Sequence, residues 1–358
     1  MDEIINSQTN LLRIDDFLNS AQIYAEQVFP DLNVSNLFKE CLSGNIKNII
    51  NFNILENLLL NEINIVLKLM VSVLIILIIH SIFKAIIENL GNSTASQIVF
   101  FLQYLVIVTV VINSFVSILD LTKECIGNVV GFMNMLVPIL ITLMLTTGNI
   151  ATTSIVQPIL IIMINFIGNF INLFIIPMLL ISLTISIISN ISNKIQIERI
   201  SNFLKSSIIW ILGIILTIFS CTLSLEGTLT SSVDGLTSKT AKAAVSTFIP
   251  VVGKIMGDTV ESVIGCGNIL KNSVGMIGII IISGIVILPV IKITVLWIAF
   301  KLTSGISELV ADTQIVKLMD NIADSYKILF AILISVAIMF IVGITIVIKI
   351  TNSAIMYR

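Results

Sequence analysis

"VGMIGIIIISGIVILPVIKITVLWI", residues 274–298, is apolar almost throughout and carries a single charged side chain, Lys292. About 20 apolar residues in helical form cover the roughly 30 Å hydrocarbon core of a bilayer. Lipid offers no hydrogen-bond partners to an open backbone, so such a run crosses as a helix. Similar runs recur near residues 65–83, 98–119, 129–147, 208–225 and 328–350. The run from Ile155 to Ser189 is longer than one crossing needs, and Gly168, Asn169 and Pro177 are natural break points, so two helices are expected there. The chain of 358 residues is 56% hydrophobic and 11% charged, against about 25% charged in a soluble domain. These features predict an all-α polytopic membrane protein with about eight transmembrane helices.

The N-terminal region, 1–64, differs. Nine acidic residues stand there against Arg13, Lys39 and Lys47, a net charge of −6 in a chain whose total is −2. Leu32, Leu37, Phe38, Leu42, Ile46, Ile49 and Ile50 recur at helical spacing, which predicts short amphipathic helices in a small soluble region. The opening "MDEIINSQTN" has neither a basic n-region nor an apolar h-region, so no signal peptide is expected. The organisation that follows is an acidic helical region over 1–64, a first transmembrane bundle over 65–225, an amphipathic segment over 226–273 and C-terminal transmembrane helices over 274–358.

The chemistry-bearing residues are sparse. Cys41, Cys125, Cys221 and Cys266 are scattered without metal-ligand spacing and read as small buried hydrophobes. His80 is the only histidine, so no His-based metal site or proton relay can be built. No phosphate loop, nucleophile elbow or HExxH helix occurs. No catalytic residue, metal, cofactor or nucleic-acid partner is expected.

The segment "TAKAAVSTFIPVVGKIMGDTVES", residues 240–262, is too polar for lipid and too apolar for a loop. As a helix it places Lys239, Lys242, Ser246, Lys254, Asp258, Glu261, Gly265 and Asn268 in one stripe. Pro250 disfavours helix at Ile249 and predicts a kink or break. Gly253 and Gly257 form a GxxxG that admits a second helix closely. Three arrangements suit this: an interfacial helix, a re-entrant hairpin, or a crossing whose stripe faces water, with Lys242, Lys254, Asp258 and Glu261 as candidate conduit-lining residues.

Within the spans, Lys68 and Lys292 are the costly residues, and Lys292 is the candidate buried charge. Either can snorkel. Asn165, Asn169 and Asn172 repeat on one helix face and suit interhelical hydrogen bonding. Lys194, Arg199 and Lys205 in "NISNKIQIERISNFLKSS", residues 190–207, argue for a cytoplasmic loop, which with eight spans puts both termini outside. The separation of Pro138 from Pro177 equals that of Pro250 from Pro289, a spacing that would suit a tandem repeat equating Pro138 with Pro250 and Pro177 with Pro289.

"SSVDGLTSKTAKAAVSTFIPVVGKIMGDTVESVIGCGNILKNSVGMIG", residues 231–278, resembles the signature region of the stage III sporulation protein AE family. "LVPILITLMLTTGN", residues 136–149, and "KLTSGISELVADTQIVKLMDNIADSYKIL", residues 301–329, are similar to flanking parts of that family, and the likeness covers residues 65–350. It departs at the N-terminus, where members often begin with an apolar signal-like segment. The resemblance implies a multi-pass component of the complex joining mother cell to forespore, seated in the mother-cell membrane around the forespore. It implies as partners other membrane and ring-forming stage III sporulation proteins, a cytoplasmic ATPase acting in trans, and a forespore membrane protein across the intermembrane space. No catalytic residues come with it. The leading expectation is a non-enzymatic channel or export-gate subunit. A secondary permease for a small solute and a purely structural anchor are the alternatives.

Overall fold

A computed structural model describes the backbone of residues 7–9, 11–26, 32–43, 52–89, 93–191, 197–248, 252–309 and 311–356. Side chains are described for most of 7–86 within those bounds, and for 97–191, 197–225, 263–309 and 311–349. Among the described residues the chain is helical throughout, without a strand: α1 Ile14–Glu26, α2 Val34–Ser43, α3 Phe52–Asn89, α4 Ser93–Thr146, α5 Ile150–Phe170, a π-helical turn Ile171–Ile175, α6 Ile176–Ile191, α7 Glu198–Phe248, α8 Val252–Ser307 and α9 Thr313–Met356.

Six helical stretches are long and apolar enough to cross a membrane: Glu62–Phe83, Gln97–Thr146, Ile150–Ile191, Glu198–Leu225, Val263–Ser307 and Thr313–Lys349. The expected count of eight is not confirmed, because four of the expected spans fall on two helical stretches. The runs 98–119 and 129–147 both belong to α4, whose 54 residues continue through Pro138. At about 1.5 Å per residue α4 is about 80 Å long, well beyond one bilayer core.

The run Ile155–Ser189 is likewise continuous, and the expected break becomes a π-helical turn. Pro177 lacks an N–H and its ring crowds the carbonyl four residues earlier, that of Leu173, inside Ile171–Ile175. Widening that turn accommodates the proline without ending the helix. Pro250, where a kink or break is expected, lies outside the described residues.

The turn from α4 to α5 follows from "TTGN". Gly148 takes φ 83°. Its N–H donates to Leu145 O at 3.0 Å, and that of Asn149 to Met144 O at 3.2 Å. This is a Schellman closure, whose left-handed residue glycine adopts without cost.

The two small N-terminal helices are amphipathic as expected, but they are docked on the bundle. α1 buries Ile14, Phe17, Leu18, Ala21 and Ala25, and Asp15 and Asp16 sit in its first turn, where the helix dipole favours them. α2 buries Val34, Leu37, Phe38 and Cys41, and Asn33 Oδ1 caps it by accepting from Asn36 N at 3.1 Å. Gln22 of α1 ties α2 down, donating to Leu32 O at 2.9 Å and accepting from Val34 N at 2.8 Å. Tyr24 meets Phe132 of α4 edge-on at 5.5 Å, and Gln8 donates to Val263 O of α8 at 3.2 Å.

α8 and α9 form the central antiparallel pair, with α4 and α3 packed on α8 and with α7 and α6 on α9. At this centre Tyr326 stacks on Phe300 at 5.4 Å and meets Phe115 edge-on at 5.3 Å.

Candidate functional site

The conduit-lining candidates Lys242, Lys254, Asp258 and Glu261, and the packing pair Gly253 and Gly257, lie on helical backbone of α7 and α8. Their side chains lie outside the described residues.

The polar stripe they belong to continues along α8 through Gly265 and Asn268 to Asn272, and there the surroundings are described. Asn268 is buried, and the Oδ1 atoms of Asn268 and Asn272 are enclosed without a hydrogen-bond partner. Beside them Lys271 is fully buried, and its Nζ donates to Ile348 O of α9 at 3.1 Å. Lys271 was not singled out from the sequence, because it follows a charged segment and reads as the end of one.

Three further lysines, Lys292, Lys205 and Lys301, are engaged within the chain. Lys292 of α8 faces Glu62 at the start of the first span, Nζ to Oε1 3.6 Å. The two side chains are 35% and 20% exposed, so Lys292 is a half-covered partner in an ion pair rather than an isolated buried charge. Lys205, expected in a loop, stands inside α7 instead, because helix begins already at Glu198. It is buried and donates to Asn321 O at 3.0 Å, within electrostatic reach of Asp324, Asp320 and Glu198. Lys301 pairs with Asp320 across the α8–α9 hairpin at 2.5 Å.

The three asparagines expected to act together separate. Asn165 forms a reciprocal amide pair with Asn134 of α4, each Nδ2 donating to the other's Oδ1 at 3.0 Å. Asn169 is exposed, and Asn172 is half-buried in the π turn with an unpartnered Oδ1. Side chains spaced three or four apart share a broad face, but the bundle covers only one edge of it.

Close helix contact in the described part is made by other glycines. A Cβ on Gly168 would come 2.5 Å from Val130 Cγ2, and one on Gly278 2.5 Å from Leu136 Cδ2. Gly275 lies against the Ile348 side chain in the same way. Both Gly275 and Gly278 lie in the run 274–298 that identifies the fold.

Cys41, Cys125 and Cys266 are buried as expected, whereas Cys221 is exposed on α7. Burial, and then the charge of Glu40, push the Cys41 thiol above its usual range. Among the described residues no three of His, Cys, Asp and Glu come together as a metal site. A narrow crevice between α4, α5 and α9, lined by Met133, Val137, Leu140, Leu160, Ile344 and their apolar neighbours, leaves no room for a water molecule.

The chain matches the family model described as stage III sporulation protein AE over residues 32–351. It is 29% identical to the stage III sporulation protein AE of Bacillus subtilis (strain 168) over 286 residues, which is 79% of this chain and 72% of that protein. No solved structure matches it. The matched span takes in α2 to α9, with the docked helix, the lysine contacts and the asparagine pair, and the chain belongs to the stage III sporulation protein AE family.

Proposed function

We propose that this stage III sporulation protein is a non-enzymatic membrane subunit of a channel or export complex linking mother cell and forespore. It would sit as a multi-pass protein in the mother-cell membrane around the forespore. The partners proposed are other membrane and ring-forming stage III sporulation proteins, a forespore membrane protein opposite, and a cytoplasmic ATPase that supplies energy in trans.

The observation that supports this reading is the way the interior is filled. Buried Lys205 and Lys271 each spend their charge on a carbonyl of the same chain, Lys292 and Lys301 are paired nearer the surface, and the crevice between α4, α5 and α9 is apolar. Among the described residues these groups offer a polar cargo little to bind, which supports a conduit at the edge of the chain, and the stripe of Lys242, Lys254, Asp258 and Glu261 is the edge we propose for it.

The test replaces those four residues together by leucine in a sporulating host. Membrane level is read by immunoblot and late forespore gene expression by a reporter. A conduit role requires normal protein level with lost expression. Normal expression at normal level removes the stripe from transport and leaves the structural anchor.

A further inference from the structure

Asn169 stands exposed on a helix face that has no charge and offers it nothing to bond. Ile162, Phe166, Asn169 and Leu173 succeed one another by four, three and four residues and so share one face. The three apolar members are 67%, 59% and 68% exposed. Phe166, Phe170 and Phe174 stack along it at 5.7 and 5.2 Å. From Ile150 to Ile191 there is no Asp, Glu, Lys or Arg.

Three polar side chains on this stretch are exposed: Ser154, Asn169 and Thr184. Two are satisfied by their own helix, Ser154 Oγ donating to Ile150 O and Thr184 Oγ1 to Leu180 O, both at 2.9 Å. Asn169 makes no such bond among the described residues. Lipid contact explains the isoleucines and phenylalanines, but it does not explain an amide in their midst, which loses its hydrogen bonds there.

We propose that the face bearing Ile162, Phe166, Asn169 and Leu173 binds the same face of a second copy of this chain, with the two Asn169 amides bonded to each other. An amide is donor and acceptor at once and therefore complements itself. The face carries no charge, so it selects no oppositely charged partner. One turn earlier on the same helix, Asn165 and Asn134 already make this bond, 3.0 Å in both directions. Two copies inserted in one membrane share an orientation, so a twofold axis along the bundle sets each residue beside its own counterpart at equal depth. Asn169 then meets Asn169, and the phenylalanine ladders flank the pair. This dimer does not depend on where cargo passes.

The test uses the full chain in its own membranes. Cys221, exposed in the wild type, is replaced by serine, and Leu173→Cys is introduced with Asn169 intact. Mild oxidation should give a disulfide-linked homodimer, while Ile214→Cys on the exposed face of α7 should stay monomeric. Adding Asn169→Val should cut the dimer yield about tenfold, the worth of one interhelical hydrogen bond in apolar surroundings, and Asn169→Gln should restore most of it. Ile162→Cys serves where Leu173→Cys fails to accumulate. Monomer only at normal protein level, linkage only to a chain of different mass, or a dimer indifferent to Asn169→Val would each overturn the proposal.

Discussion

Lys271 Nζ donates to the Ile348 carbonyl at 3.1 Å while the lysine side chain is fully buried between α8 and α9. A carbonyl dipole offsets only part of the desolvation of an ammonium, and one acceptor leaves two of three N–H groups unmatched. Volume and charge therefore pull in opposite directions at this position.

Lys271→Met keeps the length of the side chain and removes the charge, so melting of the purified protein in detergent should change by about 1 kcal/mol or less, or improve. Lys271→Ala leaves a void and should cost about 2 to 4 kcal/mol. Equal losses in the two variants would show that the ammonium itself holds α8 to α9. A methionine variant that is stable but fails in a sporulation assay would show instead that the lysine serves function rather than folding.

Glycine positions separate close helix contact from open surface. Gly278→Val drives a side chain into Leu136 of α4, an overlap that should cost about 1 to 3 kcal/mol. At Gly213, on the exposed face of α7, nothing lies within 4 Å of an added Cβ. Gly213→Ala should stabilise the helix by about 0.5 to 1 kcal/mol. Thermal melting of the pair in one detergent decides the matter, and equal shifts would remove the close α4–α8 contact at Gly278.

The run 274–298 was legible as a helix because a long apolar stretch in lipid admits no other backbone. The amphipathic face of α2 was legible because Leu37 and Phe38 belong to an apolar series at helical spacing, whereas the face of α1, with Ile14, Phe17, Leu18 and Ala21, emerges only in the structure. What joins helices was not legible. Asn165 announced itself through its companions Asn169 and Asn172, whereas its partner Asn134 stands alone among methionines and leucines, and only the packing of α4 on α5 brings the two together. Gly275 and Gly278 are hidden in an apolar run where glycine has no local signature. Helix continuity failed for the opposite reason: Pro177 predicts a local break, and burial of Ile171, Ile175, Ile176 and Leu179 keeps the helix going through a π turn.

Glu62 and Lys292 join α3 to α8 across half-covered ground. Lys292→Glu should set two carboxylates against each other and lower stability by about 1 kcal/mol. The exchanged pair, Glu62→Lys with Lys292→Glu, should recover most of that loss. A double-mutant cycle on melting temperature measures the coupling, and a vanishing coupling would mean that Lys292 reaches the polar surface on its own.

The reciprocal bond between Asn134 and Asn165 gives the sharpest test of how α4 and α5 are held. Each amide there is both donor and acceptor, and Asn165 also donates to Ile161 O at 2.8 Å. Replacing one partner by leucine leaves the other amide unsatisfied in apolar surroundings, which should cost about 1 to 3 kcal/mol. Replacing both by leucine removes donor and acceptor together and substitutes side chains of similar volume. That double variant should therefore lie within about 1 kcal/mol of the wild type, well above the sum of the single losses. Melting of the four proteins in one detergent supplies the cycle. If the double variant falls as far as the two single losses combined, the asparagines act separately, and the pairing of α4 with α5 rests on the contact of Gly168 with Val130 instead.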